Sequence, residues 1–193
     1  MRLKILNDGY SRATKLLFSL IRIVSHHPVP DAAKLVFYRS DFYGTPMKNF
    51  THEAMRGSSA WSVGDCELMA AYVSKENQCP FCIGAHTATS ALSYNDESKV
   101  TAVLSNLETA SIDEPLKATL QMLGKLTREH QINVNDIRSG MSAGVSSEQI
   151  EDALAVSFAF NVTDRLANAF GFEVLSTEGF KAGAKYLLKH GYR

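Results

Sequence analysis

A chain of 193 residues is long enough for one domain with a sizeable core, and at 45% hydrophobic residues it is too apolar to stay disordered. Lys plus Arg number 20 and so do Asp plus Glu; this zero net charge argues against a nucleic-acid or anionic-membrane partner. Three cysteines, two of them in one CxxC, do not make a secreted disulfide framework.

Strand-like alternation rich in Val, Ile and Thr is missing almost everywhere, so the expected fold class is all-α. The first helix is predicted over about 10–25. Its stretch from Leu16 to Val24 is apolar enough to suggest the core of a signal peptide. However, Arg22 interrupts it, and Ser25-His26-His27-Pro28 stands in place of a cleavage site. Lys15, Ser19 and Arg22 form one polar stripe on what should be a mostly buried helix. No run approaches the length of a membrane span. A cytoplasmic location is expected, where a CxxC stays reduced at rest.

Further helices are predicted over about 30–40, 46–57, 63–77, 80–94, 97–107, 114–130, 135–143, 147–170 and 177–190. Ser62 with Asp65, and Ser146 with Gln149, are capping-box starts. Asp113-Glu114-Pro115 is another helix start. Gly171 and Gly191 stand where left-handed C-terminal caps fall. Ser157, Asn161, Asp164 and Asn168 form a polar stripe on an otherwise apolar helix, suited to interhelical or subunit hydrogen bonding rather than catalysis. His26, His27, His52, His130 and His190 read as structural or solvated. Segment 1–45 is expected to be an N-terminal helical arm on a domain spanning 46–193.

The chemistry concentrates in Cys79-Pro80-Phe81-Cys82-Ile83-Gly84-Ala85-His86, with Glu67 on the preceding helix. Proline favours the first position of a helix, so Cys79 caps it and Cys82 lies in its first turn. Both thiols then feel the partial positive charge of the helix N-terminus, which favours thiolate. Residues i and i+3 on a helix are roughly 5–6 Å apart, within the range a disulfide tolerates. His86 is one turn beyond Cys82 on the same face, and an imidazole can accept or relay a proton near neutral pH. Ala70, Ala71 and Ser74 beside Glu67 let another helix approach closely. A carboxylate buried there has a raised pKa unless it is paired. Cys66 points away from Glu67 and reads as a small buried hydrophobe. A zinc site would want four ligands, and the motif offers three clear ones, so no metal is expected. The helical surroundings speak against a thioredoxin fold.

The spacing Glu67-x11-Cys79-x2-Cys82-x3-His86 resembles the signature of the AhpD-like alkylhydroperoxidases, within the carboxymuconolactone decarboxylase superfamily. The wider match runs from about Pro46 to Tyr192, including Met55-Arg56-Gly57 and the stretch from Phe160 to Gly171. Its layout is most similar to the uncharacterised peroxidase-related branch. The resemblance implies an all-α, AhpD-like helical fold that assembles into homo-oligomers. It implies peroxide reduction by the cysteine pair, with Cys82 attacking, Cys79 resolving, and His86 and Glu67 moving protons. No organic cofactor is implied. The partners would be a peroxide substrate and a dithiol or thiol-protein reductant. The sequence departs from the best-studied peroxidases at Phe81, where they carry a histidine. Phenylalanine cannot relay a proton, so the relay is shorter and Phe81 is free to pack or to shape an apolar pocket. The alternatives are a disulfide-exchange adaptor and a non-enzymatic, redox-sensing helical oligomer. A lactone decarboxylase is disfavoured because that branch lacks this CxxC.

Overall fold

The structure is a computed structural model and describes residues 1–192. Eleven α-helices and no strand occur among the described residues, so the fold is all-α. They are α1 (Ile5–Asp8), α2 (Arg12–Ser25), α3 (Asp31–Tyr38), α4 (Thr45–Arg56), α5 (Val63–Glu76), α6 (Pro80–Tyr94), α7 (Glu97–Ser105), α8 (Glu114–Glu129), α9 (Val134–Ser142), α10 (Ser147–Phe170) and α11 (Thr177–His190). A single π-helical turn, Ser40–Gly44, joins α3 to α4. The ten helices expected from the sequence are present within a few residues; α1 and the π turn were not expected.

Helix ends obey their local chemistry. Reciprocal capping boxes form at Ser62/Asp65 and Ser146/Gln149, as the sequence indicates, and a third forms at Asn133/Asp136. Gly171 closes α10 in the left-handed conformation. Gly191 also has positive φ but an extended ψ, so it turns the chain rather than capping α11 in the usual way. That turn brings Tyr192 back against α4, where its backbone N–H donates to His52 Nδ1 at 3.2 Å.

α5 is the centre of the molecule. It is buried from Cys66 through Ser74, on all faces rather than along one stripe. α6, α8 and α10 pack round it. The main core joins Met55, Leu68, Met69, Leu120, Val156 and Phe160. A second apolar cluster is separate from it. There Cys79, Phe81 and Cys82 are covered by Leu6 of α1, Leu35 of α3, Ala167 and Phe172. Segment 1–45 thus contributes side chains to the roof of the dithiol. Position 193, the last of the range expected for the main domain, lies outside the described residues.

One expectation is corrected. α2 carries no buried residue, although its sequence suggests a mostly buried helix. Leu16, Leu20, Ile23 and Val24 are all exposed. The apolar face is as the sequence reads it; a single chain offers no surface to cover it.

Candidate functional site

Helix geometry places the two thiols. Cys79 is the N-cap of α6 in an extended conformation, with Pro80 in the first turn. Its amide donates to Ser74 O at 3.0 Å and its carbonyl accepts from Ile83 N at 2.9 Å, so its backbone is fixed on both sides. Gln78 before it adopts a left-handed φ of 53°, which reverses the chain between α5 and α6. Both cysteines are free thiols and fully buried, with Cys79 0% and Cys82 2% exposed.

The two thiols are shifted in opposite directions. The Cys82 S–H donates to the Cys79 sulfur and outweighs the desolvation that opposes charge there. The Cys82 backbone N–H adds to this from the helix end, at a looser geometry than a true side-chain cap. The Cys79 thiol is therefore lowered from its ordinary value. The same hydrogen bond, together with burial and the nearby Asp164 carboxylate, pushes the Cys82 thiol well up. Of the two thiols, Cys79 is the one whose ionisation is favoured.

Glu67 is on α5, with no exposed surface. Its Oε2 accepts from His86 Nδ1 at 2.7 Å, and its Oε1 from Arg56 at 2.6 Å and from Tyr192 Oη at 2.9 Å. Burial alone would push this carboxyl up. The His86 hydrogen bond and charge, and then Arg56, outweigh it and hold Glu67 below the usual glutamate range. Glu67 is therefore ionised and can only accept, so His86 Nδ1 carries the hydrogen. Whenever the ring is neutral, Nε2 is its acceptor nitrogen. The ring is fixed edge-on to Phe160, with centroids 4.3 Å apart, and lies parallel to the Tyr192 ring.

Close packing holds α6 in place. A Cβ on Gly84 would lie 2.4 Å from the Phe180 ring of α11, so only glycine permits this approach. Phe81 packs edge-on to Phe172 and tilted against Phe180, and so takes the packing role expected of it. Cys66 is buried in the main core, its thiol pushed up to about 12 by burial and then by Glu67 and Asp65. The structure keeps it apart from the dithiol cluster.

Sequence reasoning missed three residues here. Arg56 comes from the end of α4 and Tyr192 from beyond α11; both converge on Glu67. Arg56 lies within the stretch of family resemblance, but no role attaches to it there. Asp164 of α10 carries the interhelical hydrogen bonds expected of its stripe, accepting from Ser74 Oγ at 3.0 Å and Asn77 Nδ2 at 2.9 Å. It also faces the dithiol: single donor atoms of Cys79, Cys82 and Asp164 lie within 4.8 Å of one another. Among the described residues no further His, Cys, Asp or Glu joins that group, which leaves it one donor short of a closed structural zinc site. A shallow depression of about 280 Å³, lined by Leu126, His130, Leu154 and Phe158 among others, includes none of these residues.

No protein-family model matches the chain, and no curated protein is similar to it in sequence. Solved structures are similar. An uncharacterised peroxidase-related protein from Silicibacter sp. TM1040 superposes with a TM-score of 0.78 at 23% identity, over 94% of this chain and 95% of that one. The chain has the AhpD-like fold. A second structure, an uncharacterised peroxidase-related protein from Ralstonia eutropha JMP134 described as an alkylhydroperoxidase AhpD core, gives 0.75 at 20% identity, over 95% of this chain and 96% of that one. The AhpD-like fold thus accounts for nearly the whole chain. No helix of the described residues is long and apolar enough to cross a membrane.

Proposed function

We propose that the protein is a thiol-dependent peroxide reductase that cycles Cys79 and Cys82 between dithiol and disulfide. The observation that carries this reading is the pair of buried free thiols, Cys79 and Cys82, at the start of the helix whose His86 is held through Nδ1 by the Glu67 carboxylate. A thiolate attacks the peroxide O–O bond; an S–O bond forms, and the alkoxide leaves with a proton as the alcohol. The other thiol then displaces hydroxide from the sulfenic acid, which forms the disulfide and water. An external dithiol or thiol protein restores the pair by exchange.

His86 moves the proton through Nε2, directly or across one water. Glu67 does not itself accept it: held ionised by three donors, it fixes the His86 tautomer and steadies the imidazolium. The apolar roof of Leu6, Leu35, Phe81 and Phe172 favours an alkyl peroxide over a polar one. The peroxidase-related character of the structural neighbours supports the same class of substrate. The exposed apolar face of α2 supports assembly into a homo-oligomer, and the site needs no organic cofactor.

Stopped-flow peroxide consumption across pH tests the relay. Glu67→Gln and His86→Ala are expected to slow thiol oxidation at neutral pH by about 10²–10⁴-fold. The deficit shrinks as pH approaches the free-thiol pKa of about 8.5, where thiolate forms unaided. Wild-type rates in both variants would reduce the site to a dithiol on a helix. Trapping the sulfenic acid in Cys79→Ser and Cys82→Ser separately identifies the attacking sulfur.

A further inference from the structure

The dithiol has a second carboxylate, and its environment is the opposite of that around Glu67. Asp164 has no exposed surface and, among the described residues, no cationic partner at hydrogen-bond distance. Its two oxygens accept from neutral donors, Ser74 Oγ and Asn77 Nδ2. Asn77 is itself held by Asn161, and Asn168 donates to Asn77 O, so the carboxylate is locked in place across α5 and α10. One of its oxygens lies within 4.8 Å of both sulfurs.

We propose that Asp164 is a general acid–base of the dithiol, taking the Cys82 thiol proton as the pair oxidises and returning it as the disulfide is reduced. This role rests on the dithiol reading of the site and adds a catalytic residue to it. The reductive step shows the balance. A thiolate of an external dithiol attacks one sulfur of the disulfide. The new mixed S–S bond forms and the Cys79–Cys82 bond breaks, with its electron pair on the released sulfur. When that sulfur is Cys82, Asp164 gives it a proton. The second external thiol then releases Cys79 and leaves as the external disulfide.

The environment suits both directions. Burial, the largest influence, raises the Asp164 carboxyl above the ordinary aspartate range, against the lowering by Asn77, Cys82 and Ser74. It thus takes a proton more readily than an exposed aspartate does. The groups that face it are Cys79, Cys82 and His86 of α6, with Ser74 and Asn77 at the end of α5. Tyr43 lies near Cys82 and contacts the neighbouring Thr163. Two carboxylates pushed in opposite directions divide the work: Glu67 stays charged and orients, Asp164 changes state.

The test uses the full chain, oxidised with diamide and then reduced by dithiothreitol, with the rate monitored across pH. Asp164→Asn is expected to slow reduction by about 10²-fold or more at neutral pH and to remove one titration from the profile. Ser74→Ala, which keeps the carboxylate but removes one donor to it, is expected to move that titration to higher pH. Circular dichroism checks the fold of each. An Asp164→Asn protein that folds and keeps the wild-type profile overturns the proposal. Should that variant not fold, an unshifted profile in Ser74→Ala overturns it. Normal disulfide chemistry without peroxide turnover defeats only the peroxidase reading, whereas failure of the wild type to form the disulfide with diamide defeats both.

Discussion

Three segments of the chain each send one donor to the Glu67 carboxylate: Arg56 from α4, His86 from α6 and Tyr192 from the turn beyond α11. Taking a charge fully out of water costs several kcal/mol, which only such partners offset. Removing one leaves the rest uncompensated, so Arg56→Met is expected to lower stability by about 3 kcal/mol at neutral pH. The sign of the pH dependence comes from the depressed Glu67 value. In the wild type this carboxylate contributes stability above the ordinary glutamate range, lost as pH falls through its lower folded value. In Arg56→Met burial meets less opposition, and protonation relieves the buried charge instead. Urea unfolding of both proteins should therefore show the deficit shrinking as pH falls; a constant deficit would mean Arg56 acts through packing alone. At this scale the sequence makes legible what lies within one helix or its neighbour. Cys79, Cys82, His86 and Glu67 are found from spacing and small-residue stripes. Arg56 and Tyr192 reach the site only through tertiary packing, with no local pattern to mark them; Asp164 shows in the polar stripe of its helix, which does not reveal that it faces the dithiol. From sequence Glu67 is open to two values, raised if unpaired and lowered if paired, and the donors that decide it stand 11, 19 and 125 positions away.

Between elements, one contact decides how α6 and Tyr192 are held together. α11 crosses α6 at Gly84, between Cys82 and His86, and it carries the chain on to Tyr192. Gly84→Ala would gain helix propensity of up to about 1 kcal/mol, yet its methyl meets the Phe180 ring. Overpacking of this kind typically costs about 1–3 kcal/mol, so a net loss of stability is expected in thermal unfolding. The displaced α11 also draws Tyr192 away from Glu67, so peroxide-driven thiol oxidation should slow even where the variant remains folded. Unchanged melting would show that Phe180 swings aside freely. The α2 face makes a second element-scale claim. Leu16, Leu20, Ile23 and Val24 share one exposed side of a strongly amphipathic helix. If a second copy covers it, Leu20→Asp with Val24→Asp lowers the mass seen by light scattering, whereas a wild type already monomeric at micromolar concentration removes the claim. The helices themselves are readable because capping boxes, prolines and glycines punctuate them. α1 and the π turn are not: a four-residue helix and a π turn have too few periods to register, and each is fixed by what it packs on.

Taken as a whole, the molecule has two apolar cores with different exposure to opening. Cys66 belongs to the main core around α5, where Leu68, Met69 and Leu120 are fully buried. Cys79 and Cys82 belong to the smaller cluster, whose roof is made of short elements: α1 with Leu6, α3 with Leu35, and the segment after α10 with Phe172. The roof is pinned by few polar ties. Arg2 reaches the last carbonyls of α10, at Asn168 and Ala169, and Asp31 of α3 accepts from Glu173 N at 3.0 Å. Short elements with few such ties open locally at lower free energy than a central core does. Since both sulfurs are closed to solvent, any reagent reaches them only through such an opening. Iodoacetamide labelling of the reduced native protein is therefore expected to modify the dithiol well before Cys66, which should wait for global unfolding. Leu35→Ala deletes part of the roof, and Arg2→Ala removes the two guanidinium ties to α10, leaving the Arg2 backbone N–H on Phe170 O. Each should speed labelling of the dithiol several-fold without speeding that of Cys66. Mass spectrometry of peptides through the labelling time course resolves the two classes. If all three cysteines react together in the wild type, the cores do not open independently and access is by global unfolding. If the order holds but neither variant changes the dithiol rate, the path to the sulfurs lies elsewhere than under α1 and α3.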